Sequence, residues 1–424
     1  MIIKYRHIGL WLSSMVLLLC PACSSSDGAD AESPDVKAPS QLEIHVYTPG
    51  HPVVTRADVE KVNPDDDEKV VNSLQIWVFV SQEKTSAAGT LHEGDMVGYL
   101  SPQISTPSST EFTGKYQLTV SDLFAELKPK VNVYVVANVS VSNTGCNLSE
   151  NSTMEELENA LIQNNKHNGG DDFFGISSPI TTVVPEGSEG GLPMSGVLKG
   201  TEVGGSQPVL KVQTPVTVVR AVSKVRFVFS RTDQWTTDEE YGSSQKLKIT
   251  GITIDNGMIP KAEYLFLAKE YNTEDLTKNC HVLTTYESGL DENGIALTPL
   301  TSSASQIPEY ANPSEYSYTG EKTGQEYEDL INGGIEAGHL AEVGKFYLRE
   351  SDKLITGKIH YTIGEGDNLP VKSSTFRMKA AYDFSRNHTW IVFGYFSSKE
   401  ILKVASVELL PWAITEADRE WYNW

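Results

Sequence analysis

Polar and apolar residues alternate through Gln41-Leu42-Glu43-Ile44-His45-Val46-Tyr47, the period-two pattern of a strand with one buried face. Pro49-Gly50-His51-Pro52 ends it, and a polar stretch, Val53 to Asp67, leads to a second strand, Leu74 to Val80. Further runs rich in β-branched residues cover 131–141, 209–219, 224–229, 246–254, 358–363 and 390–396, with Gly, Asn, Ser and Thr clusters between them. One segment reads as a helix, Thr153 to Asn164, with Met154, Leu157, Leu161 and Ile162 on one face and Ser152 or Thr153 as its cap. Many short strands joined by polar loops predict a mostly β chain built of two β-sandwiches. A turn-rich stretch, Gly187 to Ser206, is where the boundary between them is expected, and no internal repeat is visible.

The first residues change the picture from fold to address. Lys4 and Arg6 precede an apolar run from Ile8 to Cys20, a charged start and hydrophobic stretch too short to span a bilayer comfortably. The run closes in Cys20-Pro21-Ala22-Cys23. A C-x-x-C redox reading fails on position, because the pair ends an export signal rather than following a strand. The arrangement resembles a bacterial lipobox, which implies that residues 1–23 are a signal peptide and that Cys23 carries the lipid. Residues 24–40, rich in Ser, Asp, Ala and Pro, then form a polar tether. Cys146 and Cys280 remain, and both a disulfide and two separate thiols stay open.

The chain has 424 residues, enough for roughly two to three domains. Its 34 Lys+Arg against 56 Asp+Glu leave a net charge of -22, which repels phosphate backbones and excludes nucleic acid as a natural partner. Catalytic signatures are missing: there is no H-E-x-x-H, G-x-S-x-G or G-x-G-x-x-G. Gly338 to Lys345 has one residue too many for a P-loop and Phe346 where a magnesium-binding hydroxyl must sit. Asp65-Asp66-Asp67-Glu68 lacks the spacing and central Gly of a calcium loop and reads as a solvated acidic turn; Asp291 to Gly294 reads as another turn. His388 stands at a strand entrance, where a structural hydrogen bond is expected. Neither a metal site, a cofactor nor an enzyme is expected.

Several segments, in order along the chain, resemble the fimbrillins of Bacteroidia, the subunits of type V pili, and in particular the minor-fimbrium shaft branch. They are Thr55-Arg56-Ala57, Val71 to Phe79, Val131 to Asn138, Leu192-Pro193-Met194-Ser195-Gly196, Val219 to Val225, Phe346 to Glu350, Ser385 to Trp390, and Val407 to Trp412 with the terminal Trp424. The resemblance implies two transthyretin-like β-sandwich domains, no enzymatic activity and no cofactor. It implies a lipoprotein precursor delivered to the outer membrane, cut between Arg56 and Ala57, and polymerised at the cell surface. Residues 24–56 would be the tether and a removable first strand, 57–205 an N-terminal sandwich, and 206–424 a C-terminal sandwich with a donor-strand tail. Partners would be other fimbrillin subunits, including anchor and tip subunits, and a host or bacterial surface receptor.

Withdrawing one strand leaves a row of unpaired backbone groups and a row of apolar pockets, which a donated strand repairs. Val407, Leu409, Trp412, Trp421 and Trp424 are the candidate donor residues; three of the seven Trp lie in the last thirteen positions. A final strand closing its own domain is the competing reading for 407–412. Two alternatives for the whole chain remain, a fimbrial tip or accessory adhesin and a surface glycan-binding lipoprotein. The glycan reading would need exposed aromatics in the loops, for which Trp235, Tyr310, Tyr316 and Tyr318 are the candidates.

Overall fold

A computed structural model of the chain describes residues 39–48, 61–62, 68, 70–104, 112–140, 145–162, 166–167, 171–172, 191–232, 246–266, 285–286, 288, 292, 294–298, 300–319, 322, 324–378, 386–398 and 401–412, with 61–62, 166–167, 171–172 and 401–412 described as backbone alone. In chain order the first strands are β1 (Gln41–Tyr47), β2 (Lys61–Val62), β3 (Leu74–Val80), β4 (Lys84–Ser86), β5 (Gly89–Leu91), β6 (Met96–Leu100) and β7 (Thr113–Thr119). Helix α1 (Asp122–Leu127), β8 (Val131–Ala137), helix α2 (Met154–Glu158), β9 (Leu161–Ile162), β10 (Lys166–His167) and β11 (Asp171–Asp172) follow. Next come β12 (Met194–Thr201), β13 (Val203–Ser206), β14 (Val209–Val212), β15 (Val216–Thr217), β16 (Val219–Arg220), β17 (Ser223–Arg231), β18 (Leu247–Ile254), β19 (Glu263–Tyr264) and β20 (Ile295–Ala296). Helix α3 (Gly324–Glu336) precedes β21 (Ala341–Leu348), β22 (Thr356–Ile363), β23 (Lys372–Arg377), β24 (Thr389–Ser398) and β25 (Ile401–Trp412).

Four larger sheets carry the fold. The first has the order β13-β14-β1-β15 with β7 on the other side of β1, and the second runs β16-β12-β8-β3-β6. The third runs β2-β25-β24-β17-β21 and the fourth β20-β18-β22-β23. One core, including Leu42, Ile44, Val46, Ile76, Val78 and Val133, fills the space between the first two sheets. Another, including Phe227, Ile252, Ile359, Phe376 and Trp390, fills the space between the last two. A third holds residues from both halves: Trp77, Phe79 and Tyr134 from the second sheet meet Tyr347, Ile391 and Phe393 from the third, with Tyr327 and Ile331 of α3.

This stacking explains the sequence pattern. β1 lies in an outer sheet and alternates between half-buried and buried positions. β3 and β8 lie in an inner sheet, so Ile76 and Val133 point into one core while Trp77 and Tyr134 point into another. Both faces are apolar, and the strand reads as a continuous run.

Three departures from the sequence expectations have local causes. The division expected at 205/206 falls inside β13, which pairs with β14: β14, β15 and β16, all downstream of it, join the first two sheets, and apart from β2 the third sheet is drawn from Ser223 onward. The glycines that suggested a boundary include Gly196 inside β12, where a Cβ would stand 2.0 Å from the Thr217 carbonyl oxygen. Only glycine allows that approach. The helix expected over Thr153 to Asn164 ends at Glu158 despite a complete capping box between Thr153 and Glu156. Leu161 and Ile162 pair instead with Tyr264 and Glu263. Conversely, α3 lies in a part of the chain for which the sequence predicts no helix. Its buried face is Tyr327, Ile331 and Gly334. At Gly334 a Cβ would come within 2.6 Å of the Tyr316 ring, so the residue that weakens the helix signal is the one the packing requires.

Candidate functional site

β1 is held along both edges. Every residue from Gln41 to Tyr47 has an antiparallel partner on β7, from Thr119 to Thr113. On the other edge Gln41–Glu43 pair in parallel with Val209–Lys211, and Val46–Tyr47 with Val216–Thr217. Bonds from Gln41 N–H to the Pro208 carbonyl (2.7 Å) and from Val218 N–H to the Tyr47 carbonyl (3.0 Å) close the two ends. Leu42, Ile44 and Val46 are fully buried. Their burial is worth roughly 5–9 kcal/mol in all. The outward side chains add polar ties: Glu43 accepts from His45 (2.8 Å) and faces Lys211 (3.2 Å). The His45 bond, then Lys211, lowers the Glu43 carboxyl to about 2. Among the described residues β7 has no other strand partner in this sheet, so β1 is the element that joins β7 to β14 and β15.

Downstream of the expected cut the chain is pinned to both halves. Glu68, read from the sequence as part of a solvated acidic turn, is fully buried. Its carboxylate accepts from Lys224 Nζ (3.1 Å) and from the Tyr347 hydroxyl (2.5 Å), and its carbonyl accepts from Arg220 Nε (2.8 Å). These groups lie on β17, β21 and β16. Arg226, beside Lys224 on the same face of β17, donates to Glu328 (3.0 Å), Glu342 (2.5 Å) and Asn332 (2.8 Å). Four residues past Glu68, the Asn72 N–H donates to Asn138 Oδ1 (2.8 Å), and Asn138 Nδ2 donates to the Val70 and Leu192 carbonyls. Asn138 adopts a φ of 57°, a region asparagine tolerates better than most residues, and this turn ends β8.

A second buried cluster lies where β19 meets β9. Arg386 pairs with Glu350 (2.6 Å) and donates to the Leu265 carbonyl, and the Glu350 N–H donates to Glu263 Oε2 (3.0 Å). Burial pushes the Glu263 carboxyl up to about 8; Arg386 opposes the shift and the Glu350 charge adds to it. A raised acid pKa favours the protonated form in the folded chain, so this group costs stability progressively as pH rises from the ordinary carboxylate range to about 8. Glu263→Gln is expected to melt several degrees above the wild type at pH 8.5, with the difference shrinking toward pH 4.5. Equal melting differences at both pH values in calorimetry would contradict the assignment.

The sequence candidates fall as follows. Val407 and Leu409 lie on β25 opposite Ile391 and Thr389 of β24 in the same chain, and Trp412 is partnered with Val62 of β2. Cys23, Arg56, Ala57, Trp421 and Trp424 lie outside the described residues, as do Trp235 and Cys280. Cys146 is buried, and its thiol lies within 2.8 Å of the Leu161 carbonyl. His388 approaches the Arg386 carbonyl (2.6 Å), the structural bond expected of it. The tyrosines do not make a platform: Tyr316 is buried with its hydroxyl 2.8 Å from His339 Nδ1, and Tyr310 stacks on His339 at 3.9 Å. Tyr318 alone is exposed. Among the described residues no acidic, His and Cys cluster could hold a metal ion, and no helix is long and apolar enough to cross a membrane.

The chain is mostly β, built of antiparallel and mixed sheets, with its first long strand clasped between β7 and β14. Residues 40–220, from the start of β1 to the end of β16, match the family model of the major fimbrial subunit protein, FimA. The resemblance to fimbrillins therefore holds through that segment. No curated protein matches. Among solved structures, a fimbrilin (FimA) of Porphyromonas gingivalis is similar at 11% identity and a TM-score of 0.44, covering 89% of this chain and 98% of that one. A candidate cell adhesion protein of Parabacteroides distasonis is similar at 13% identity and 0.45, covering 88% and 98%. The fimbrial anchor protein Mfa2 of P. gingivalis is similar at 7% identity and 0.36, covering 88% and 100%.

Proposed function

We propose that the chain is a structural subunit of a surface fimbrium that supports cell adhesion, made as an outer-membrane lipoprotein anchored through Cys23. It is cut between Arg56 and Ala57 and polymerised by strand donation with further copies and with anchor and tip subunits. It carries no enzymatic activity. Its first sandwich extends to Arg220 and its second begins at Ser223.

β1 is the observation that supports this reading most. A single cut at Arg56 leaves β1 with no covalent link to β3 and everything after it; only its two ladders and three buried side chains then retain it. Its loss opens a slot seven residues long, with unpaired backbone on both walls and three apolar pockets at alternate positions. The C-terminal residues Val407, Leu409, Trp412, Trp421 and Trp424 of another copy are the donor segment for that slot.

Digestion of the purified chain with an arginine-specific protease should yield high-mass species that survive in unboiled gels. Their N-terminal sequence should begin Ala57-Asp58-Val59. Polymer that still starts at Cys23 would mean that β1 is never removed, and the proposal would fall.

A further inference from the structure

β2 covers the one end of the C-terminal strand that β24 does not reach. β25 pairs with β24 from Ile401 to Leu409, where Thr389 is the last partner. Beyond that point the ladder passes to the opposite edge: Lys61 is partnered with Leu410 and Val62 with Trp412, in parallel. The register shifts between these two pairs and skips Pro411, which has no N–H to contribute. β2 is also the edge strand of this sheet, and α3 packs against it.

The two residues of β2 stand between two fixed points. Upstream is β1, embedded in the first sheet by both of its ladders. Downstream is Glu68, fully buried against Lys224 and Tyr347, followed by the Val70 and Asn72 bonds to Asn138. Twelve residues separate Thr48 from Lys61 and five separate Val62 from Glu68, and a chain tied at both points gives up less freedom on pairing than one with a free end, so a two-residue ladder can persist there. With one end free, so short a pairing is only marginally stable.

We propose that β2 is a latch on the tip of the C-terminal strand, released when the cut at Arg56 frees its upstream end while Glu68 keeps its downstream end in place. The inference rests on the strand-donation reading above. Pairing of β25 with β24 stops at Leu409, so Leu410 to Trp412 is the stretch of β25 that β2 holds. One cut would thus both empty the β1 slot and loosen the strand that is to fill the slot of another copy.

Hydrogen exchange of residues 404–412 in the monomer tests the latch, and polymer formation is read separately. In the uncut chain Val62→Pro should speed exchange of 404–412 by about tenfold or more, as a local opening would. The wild-type chain cut at Arg56 should show the same rise. Exchange of β18 and β22, in the fourth sheet, should not change in either case. A second variant, Lys61→Cys with Leu410→Cys, places two cysteines on directly partnered positions. Its oxidised form should keep 404–412 slow after the cut, and reduction should restore the rise.

Unchanged exchange in uncut Val62→Pro, or fast exchange in the oxidised, cut cysteine variant, overturns the latch. If Val62→Pro also disturbs β18 and β22, the cysteine variant decides. Polymer that forms while exchange fails to respond removes the latch and leaves the fimbrial reading standing. Exchange that responds without any polymer supports the latch contact and removes strand donation.

Discussion

Lys224→Ala is expected to lower the unfolding free energy by about 3–5 kcal/mol, the effect of leaving a buried charge without its partner. Lys224 Nζ lies 3.1 Å from Glu68 and 4.0 Å from Glu328, and neither Lys224 nor Glu68 has any exposed side chain. Glu328 keeps Arg226 and Glu68 keeps the Tyr347 hydroxyl, but the ammonium that faces both carboxylates is gone. The urea midpoint should fall accordingly. A double variant, Lys224→Met with Glu68→Gln, removes both charges at similar volume and should recover most of the loss. If the single and double variants unfold at the same midpoint, the pair is not what holds residue 68 in place.

Removing Ala413 to Trp424 should leave a folded monomer whose melting temperature moves by no more than about 2 °C, while the high-mass species after an Arg56 cut disappear. Removing Ile401 to Trp424 should do something different. It strips the whole ladder from β24, a strand whose Trp390, Ile391, Val392 and Phe393 are buried, and the melting temperature should drop by roughly 10 °C or more. Comparing the two truncations by calorimetry and unboiled gels separates the tail from the strand that precedes it. A protein lacking 413–424 that assembles as well as the full chain would defeat the assignment of Trp421 and Trp424 to donation.

Legibility in the sequence followed the environment of each element. β1 and β3 emerge at their predicted bounds, because one alternates cleanly and the other is apolar on both faces. β17 misleads. Ser223-Lys224-Val225-Arg226-Phe227 alternates like β1, and alternation by itself would turn Lys224 and Arg226 toward solvent. Instead they are buried against α3 and β21, and the sign of it lies in acids far along the chain. Glu68 was obscured for the same reason: its partner Lys224 is 156 positions away, and the Asp run before it suggested water. α3 was hidden by Gly333 and Gly334, of which the latter is needed for contact with Tyr316. The slot around β1 was legible only as a strand; that β7 and β14 would clasp it required the pairing itself.

The clasp on β1 also has a direction. β7 runs against it while β14 and β15 run with it. A strand that took over both ladders in the same register would have to enter in the same sense as β1, since reversing it would exchange the parallel and antiparallel walls and their different hydrogen-bond spacings. Each subunit would then receive its neighbour one way round. A fibre assembled by repeating that step would be a vector, with one end that accepts new subunits and one that cannot.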